Sequence, residues 1–325
     1  MDSIPVVVVH TGLKPYVEPC LRRAVASNPR GRVVLLGDAA NAGIGIGEHL
    51  RLDDASLATD LADFRTVYEH HSSSKGEQFE RFCIERWFFV RNFMRRENLD
   101  RCLVINTDVL LFCDVATEAA RFRHAGMTFA RWDAVRLSPH CNFIGGRAAI
   151  ESFCEYALGL GLYRDPARLE AVKAKNGKKF GRHWVSDMSL FADWSARGDC
   201  AIGMLEDAVH DGVAFDDAID RTRGYVRRSF MPGVLRPWKW IEYRDGVPFA
   251  RHRRAGEVPM KCLHFHGGFK DLMGRHAQCL TDDLAAATIM LRRKLKSVPG
   301  KTAWFTRNYL APLRADAAPA ARRAA

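Results

Sequence analysis

The chain has 325 residues, with 49 Lys and Arg against 38 Asp and Glu, for a formal net charge of +11. At 47% hydrophobic and 27% charged residues its composition is that of a globular protein, which excludes a mostly disordered, collagen-like or coiled-coil chain. The longest apolar runs, such as Trp87 to Val90 and Val109 to Cys113, fall far short of the roughly 20 residues that cross a bilayer.

The opening MDSIPVVVVHTG has no basic stretch before its apolar run and no small-residue cleavage site after it, so it does not read as a signal peptide and export is not expected. Ile4 to His10 suits a strand buried on both faces, ended by Thr11-Gly12. Val17, Leu21 and Val25 give Pro15 to Asn28 helical spacing, and a second buried run, Val33 to Leu36, stops at Gly37-Asp38. Strand, helix and strand make a right-handed βαβ unit with both strand ends on one edge. Gly43 to Gly47 (GIGIG) has the spacing G-x-G-x-G with no strand leading into it, and reads as a loop rather than a dinucleotide fingerprint. His70-His71 beside Ser72 to Ser74 reads as a solvated loop.

Glu77 to Asn98 is the longest helical segment, with Phe79, Phe82, Trp87, Val90, Phe93 and Met94 expected in the core. It leads into the buried run Cys102 to Ile105, which stops at Asn106-Thr107-Asp108. A helix near Val115 to Phe122, a strand at Met127 to Ala130 and a turn-rich stretch at Asn142 to Gly146 follow. Helices are expected near Ala148 to Gly159, Pro166 to Lys175 and Asp187 to Ala196, then a short strand at Met260 to Phe265 and a helix near Asp282 to Lys296. Alternating strands and helices argue a single α/β domain over residues 1–280 with a mixed, mainly parallel sheet, followed by a basic helix and tail over 281–325. From Leu284 to Ala325 there are nine Lys and Arg against one Asp. Nine cysteines make no CxxC pair and several lie inside apolar segments, the pattern of reduced, packed thiols in a cytosol.

In open α/β sheets ligands bind beyond the carboxyl ends of the strands, which draws attention to His10-Thr11-Gly12, Asp38, Asn106-Thr107-Asp108 and His264-Phe265-His266-Gly267. In LVINTDVLL, side chains two apart on an extended segment point the same way, so Asn106 and Asp108 are expected to offer two oxygens to one hard cation. His264 can add a nitrogen suited to Mn²⁺ more than to Mg²⁺.

NTD in this setting resembles the D-x-D motif of GT-A glycosyltransferases. HFHGGFK, from His264 to Lys270, resembles the H-F-x-G-x-x-K element of the glycogenin and lipopolysaccharide galactosyltransferase relatives. The opening strand–helix–strand, the helix FERFCIERWFFVRNFM and the segment VSDMSLF are similar to bacterial surface-polysaccharide glycosyltransferases, so the resemblance covers most of residues 4–275. It implies a GT-A, Rossmann-like fold and a metal-assisted transfer from a nucleotide-diphosphate sugar to a glycan or lipid-linked acceptor. It assigns Thr11, Gly12 and Asp38 to the base and ribose, and Arg86 to the donor. Asn106, Asp108 and His264 fall on the Mn²⁺ or Mg²⁺ ligands, Gly267 and Lys270 on the diphosphate loop. Asn142 and Gly145 match an N-x-G segment lining the sugar pocket, and Asp187 a carboxylate beside the sugar or acceptor.

Asn106 stands where the family has its first acid, which removes a charge and leaves open a nucleotide-sugar-binding protein without turnover. The first strand lacks the Gly-rich, Arg-bearing loop of sugar-phosphate nucleotidyltransferases, and no nucleic-acid module is present to use the basic charge. Trp238 and Trp240 in RPWKW suit either stacking on an acceptor sugar or the core. Basic and apolar residues interleave from Leu291 to Leu310, which suits an interfacial segment on an anionic membrane where a lipid-linked acceptor sits. A cytoplasmic protein, peripheral on the inner membrane face, is the expected location.

Overall fold

The computed structural model describes residues 4–71, 76–158, 165–180, 185–228, 235–280 and 283–296. Strands β1 (Val6–His10), β2 (Val33–Gly37) and β3 (Glu48–Arg51) are followed by β4 (Cys102–Ile105) and β5 (Val109–Leu111). Next come β6 (Met127–Arg131), β7 (Leu137–Ser138), β8 (Cys141–Ile144), β9 (Ile202–Met204) and β10 (Ala214–Phe215). The chain ends its strands with β11 (Arg227–Arg228), β12 (Trp238–Lys239), β13 (Ile241–Arg244), β14 (Val247–His252) and β15 (Gly256–His264). Helices are α1 (Val17–Ser27), α2 (Leu61–Val67), α3 (Glu77–Arg96), α4 (Val115–Ala119) and α5 (Arg147–Leu158). After these come α6 (Pro166–Phe180), α7 (Asp187–Ser195), α8 (Met273–Ala277) and α9 (Asp283–Lys296).

The main sheet has the order β3-β2-β1-β4-β8-β6-β7, with β9 added along β6. The first four strands are mutually parallel and β8 runs antiparallel to β4. This is the mixed α/β sheet that the alternation of strands and helices predicts. Val6, Val7 and Val8 are fully buried because each face of β1 has a cover: Val6 and Val8 pack with α1, Val7 with the apolar side of α3. Asn142 to Gly146, expected to be turn-rich, overlaps instead a central strand, β8, whose four residues Cys141–Ile144 are all buried between β4 and β6.

A smaller sheet, β10-β15-β14-β13 with β5 on β15, is built on a long hairpin. The antiparallel register sets Val109 opposite His264, and the Phe265 amide donates to the Asp108 carbonyl at 2.8 Å. That pairing carries the end of β15 to the end of β4. Helix α9 buries Ala286, Ala287 and Leu291 in the core shared with the Gly267–Leu272 turn, leaving Arg292, Arg293 and Lys294 exposed. Lys301, Trp304, Phe305, Arg307, Tyr309 and Leu310 lie outside the described residues, and no described helix is long and apolar enough to cross a membrane.

All nine cysteines are free. His276 of α8 is buried against Phe265, with its Nδ1 2.9 Å from the Tyr243 hydroxyl. Burial, and secondarily Arg275, pushes its pKa down to about 4. The unfolded ring binds a proton near pH 6.5 and the folded ring does not, so stability falls as pH drops from 6.5 toward 4. The slope from this one residue is about 1.4 kcal/mol per pH unit. His276→Gln should flatten that part of the Tm-against-pH curve; an unchanged slope would remove His276 as its source.

Candidate active site

Because β1, β2 and β4 are parallel, their carboxyl ends lie on one edge, and β5–β15 pairing adds His264 beside them. A cleft of about 360 Å³ opens there, lined among others by Arg86, Asn106, Asp108, Asp187, His264, Gly267 and Lys270. Seven of the residues singled out in the sequence therefore share one space.

Asp108 is buried with Lys270 Nζ 2.9 Å from Oδ2 and His264 Nε2 3.6 Å from Oδ1. Burial alone would raise the Asp108 carboxyl, but the protonated form of His264 and then Lys270 outweigh it and hold the group below the ordinary carboxylate range. Burial works against the Lys270 ammonium, and Asp108 reverses that to a net upward shift. The pair is therefore charged on both sides. Lys270 also lies over the Tyr16 ring, 4.7 Å from its centroid.

The orientation of His264 comes from residues that the sequence pattern does not single out. Its Nδ1 is 2.7 Å from the Asp217 carbonyl, which requires that nitrogen to donate, and so in the neutral ring leaves the Nε2 lone pair toward Asp108. His140 stacks on it, centroids 4.3 Å apart at 7°, and is itself fixed by Ser138 and by the Asp216 carbonyl. Burial holds His140 well below the usual imidazole range. The Asp216 carboxylate accepts the His264 amide at 2.9 Å. Lys239, fully buried, donates to Asp216 at 2.5 Å, Asp217 at 2.7 Å and the Ala218 carbonyl at 2.9 Å. In FDDAID and RPWKW nothing but the unusual pairing of adjacent acids with a lysine between tryptophans hints at this support.

Asn106 departs from its expected place. Residues Thr107 and Asp108 form a turn, closed by the Val109 amide on the Asn106 carbonyl at 3.0 Å, so the two side chains do not share a face as they would on an extended segment. Asn106 Oδ1 accepts from Arg86 Nη1 at 2.6 Å, while Asp108 faces His264 and Lys270. Arg86 also pairs with Asp187 at 2.9 Å and donates to the Cys83 carbonyl. Asp187 opens α7, and burial raises its carboxyl although Arg86 pulls the other way. Asn106→Asp should then compete with Asp187 for Arg86 rather than complete a metal site. Mn²⁺ affinity by calorimetry should change less than about threefold, which is under 1 kcal/mol; a gain of tenfold or more would return this residue to the ligand set.

Thr11, Gly12 and Asp38 cluster at the ends of β1 and β2 but do not line the cleft. Gly12 sits at φ +72, which lets its amide donate to Asp38 Oδ2 at 2.7 Å. Asp38 also caps the Ala39–Ile44 turn that includes part of GIGIG. Between them and Asp108, His10 does line the cleft. Its Nε2 is buried without a partner among the described residues, and burial lowers its pKa to about 4.

Asn142 and Gly145 do not reach the cleft. Since β8 runs antiparallel to β4, Gly145 emerges at the far edge, where a Cβ would meet the Ala125 carbonyl oxygen at 2.1 Å. Asn142 is buried and donates to the Thr128 carbonyl at 2.6 Å. Phe79, expected in the core, is 56% exposed beside the cleft, whereas Phe82 is half-buried against the core as expected and also lines the cleft.

Asp108 and His264 fit a divalent cation: two lone-pair donors face one point, and the distal His264 nitrogen is tied to a backbone carbonyl, as in metal-ligating histidines. Among the described residues no group of three or more His, Cys, Asp or Glu could hold an ion, so the protein would supply two donors and leave other positions to ligand and water.

No protein-family model matches the chain, and no curated protein does. Among solved structures, the chain is similar in fold to galactosyltransferase LgtC in complex with donor and acceptor sugar analogs, at 10% identity and TM-score 0.41, covering 86% of this chain and 96% of that one. It is also similar to mouse xyloside xylosyltransferase 1, at 10% identity and TM-score 0.43, covering 63% of this chain and 86% of that one. A third, the bifunctional glycosyltransferase WbbM, is 11% identical at TM-score 0.43, and the chain spans about half of it, 52%, with 90% of this chain covered.

Proposed function

We propose that the chain is a glycosyltransferase that takes a sugar from a nucleotide-diphosphate donor. The observation that supports this reading most is the facing of Asp108 Oδ1 and His264 Nε2 at 3.6 Å with Lys270 beside them, at the carboxyl ends of the strands. Sugar transfer leaves negative charge on the departing diphosphate, and cations aimed at it are what a site must supply. Lys270 carries a charged ammonium held by Asp108 and is positioned to turn to a phosphate oxygen. Asp108 and His264 would hold Mn²⁺ or Mg²⁺, whose role when bound is to neutralise the leaving group. Gly267, at φ +59, opens the Lys270 turn, and the orphan His10 nitrogen offers a contact to ribose or phosphate.

In this reading Arg86 and Asp187 serve the sugar and acceptor, in a cleft that Phe79, Phe82 and Met188 also line. In this assignment Arg86 holds Asp187 and Asn106 rather than binding the donor directly. Residues 1–280 carry both substrates. The acceptor is a glycan or lipid-linked glycan of cell-surface polysaccharide synthesis, and the exposed Arg292, Arg293 and Lys294 give the domain a basic face for an anionic membrane that carries it.

A panel of nucleotide-diphosphate sugars, assayed for released nucleotide diphosphate with Mn²⁺, Mg²⁺ or chelator, tests the reading. Turnover of one donor that chelator reduces is expected. A donor that binds without any release, with every acceptor tried, would make the chain a nucleotide-sugar-binding protein instead. Absence of binding by all donors would remove the donor pocket.

A further inference from the structure

We propose a second saccharide-binding site on the solvent face of the β13–β14–β15 hairpin, centred on Trp240 and separate from the cleft. A cavity of about 450 Å³ lies there, lined by Val226, Trp240, Glu242, Phe249, Arg251 and Glu257. That volume is within the about 300–1,000 Å³ of small-ligand sites. None of these residues lines the cleft around Asp108.

The strand period explains the arrangement. Ile241, Ala250 and Val258 turn into the core, so Glu242, Arg251 and Glu257 face outward, with Phe249 half-buried among them. Antiparallel register sets Glu242 opposite Phe249 and Arg251 opposite Glu257, which gathers an aromatic ring, two carboxylates and a guanidinium on one face. Trp240 extends that face at 37% exposure, unusual for the largest side chain beside a packed sheet. Arg228 lies over its ring, 3.6 Å from the centroid, and Arg244 bonds Glu257 at 2.9 Å while covering Phe249. These contacts hold the platform in place before any ligand arrives, which lowers the entropic cost of binding.

The chemistry selects an uncharged sugar chain. The C–H face of a pyranose can stack on the indole face opposite Arg228, and its hydroxyl rim can donate to Glu242 and Glu257 and accept from Arg251. A phosphate or sulfate chain would have to part Arg244 from Glu257 or meet the Glu242 carboxylate, and an apolar peptide would desolvate the charged groups of this face. Glu257 lies at the start of β15 and His264 ends it, so such a site would hold a glycan away from the proposed sugar-transferring cleft, and the binding inference stands on the hairpin alone.

Calorimetry with maltohexaose, cellohexaose, mannohexaose and chitohexaose tests it, with a heparin hexasaccharide as the charged control. At least one neutral hexasaccharide should bind the full chain with Kd on the order of 0.1–1 mM. Trp240→Ala should weaken it about tenfold or more, and Glu257→Gln by a smaller factor. Saturating uridine diphosphate with Mn²⁺ should leave it unchanged, which separates this site from the cleft. No binding by any neutral probe, or binding only by heparin, would overturn the proposal. So would displacement by the nucleotide, or equal binding by a folded Trp240→Ala protein. Should that variant not fold, Trp240→Leu keeps apolar bulk without the indole and is expected to lose binding in the same way.

Discussion

Lys239→Met should destabilise the protein by about 3–5 kcal/mol, because it leaves the Asp216 carboxylate in the interior without its counter-charge, while Asp217 keeps Arg221 at 3.2 Å. Lys239 is fully buried and bonds Asp216, Asp217 and the Ala218 carbonyl. Burial opposes its charge, but the two acids outweigh that and raise its pKa. Asp216, deeper than Asp217, is the acid that burial pushes upward, so on loss of the lysine it is the one expected to take a proton. At a few degrees per kcal/mol, Tm should fall by roughly 5–10 °C.

The double variant Lys239→Met, Asp216→Asn removes one uncompensated acid and should recover part of the loss, since the Asn side-chain oxygen can still accept the His264 amide. If the double variant is no more stable than the single, the penalty is loss of the ammonium's contacts with the Tyr225 ring and the Ala218 carbonyl rather than stranded charge. Because Asp217 also holds the His264 imidazole, ¹⁵N NMR of that ring should register a tautomer change in the folded fraction. An unaltered tautomer would separate the ion network from the site.

The difference between what the sequence reveals and what it hides follows from how local each signal is. β1, β2 and β4 are apolar runs ended by polar residues, and the periodic charge of α3 marks its exposed side, so these elements are read directly. β8 escapes because Cys141 to Ile144 includes Asn142 and precedes two glycines, the composition of a turn; its strand character comes from β4 and β6 on either side. Asp108 and His264 are legible as polar residues ending apolar runs, which α/β topology gathers at one edge, whereas Lys270, in the Gly267–Leu272 turn, is reached only through the resemblance of HFHGGFK. Asn106 is misread because an i, i+2 rule for extended chain does not apply across a turn. The Asp216–Lys239 support depends on residues 23 apart that meet only after β10 and β15 pair, and no local pattern announces it.

Lys270→Met should reduce turnover of the donor by about 10²–10³-fold, the usual cost of removing one group that stabilises charge formed in the transition state. Methionine keeps much of the lysine stem and removes the ammonium, which lies over the Tyr16 ring. In the resting site this charge is held by Asp108, so the substitution also releases one carboxylate oxygen. That second effect has a sign of its own. A freed Asp108 should bind Mn²⁺ at least as tightly as before, so metal affinity should be retained or rise while kcat falls. Asp108→Asn should do the reverse, lowering Mn²⁺ affinity and leaving Lys270 without its anchor. A loss of kcat in Lys270→Met with donor KM nearly constant would mean that the ammonium acts on the leaving diphosphate rather than on the bound donor. A large rise in KM with kcat intact would make Lys270 a ground-state binding group, and full activity would remove it from the mechanism.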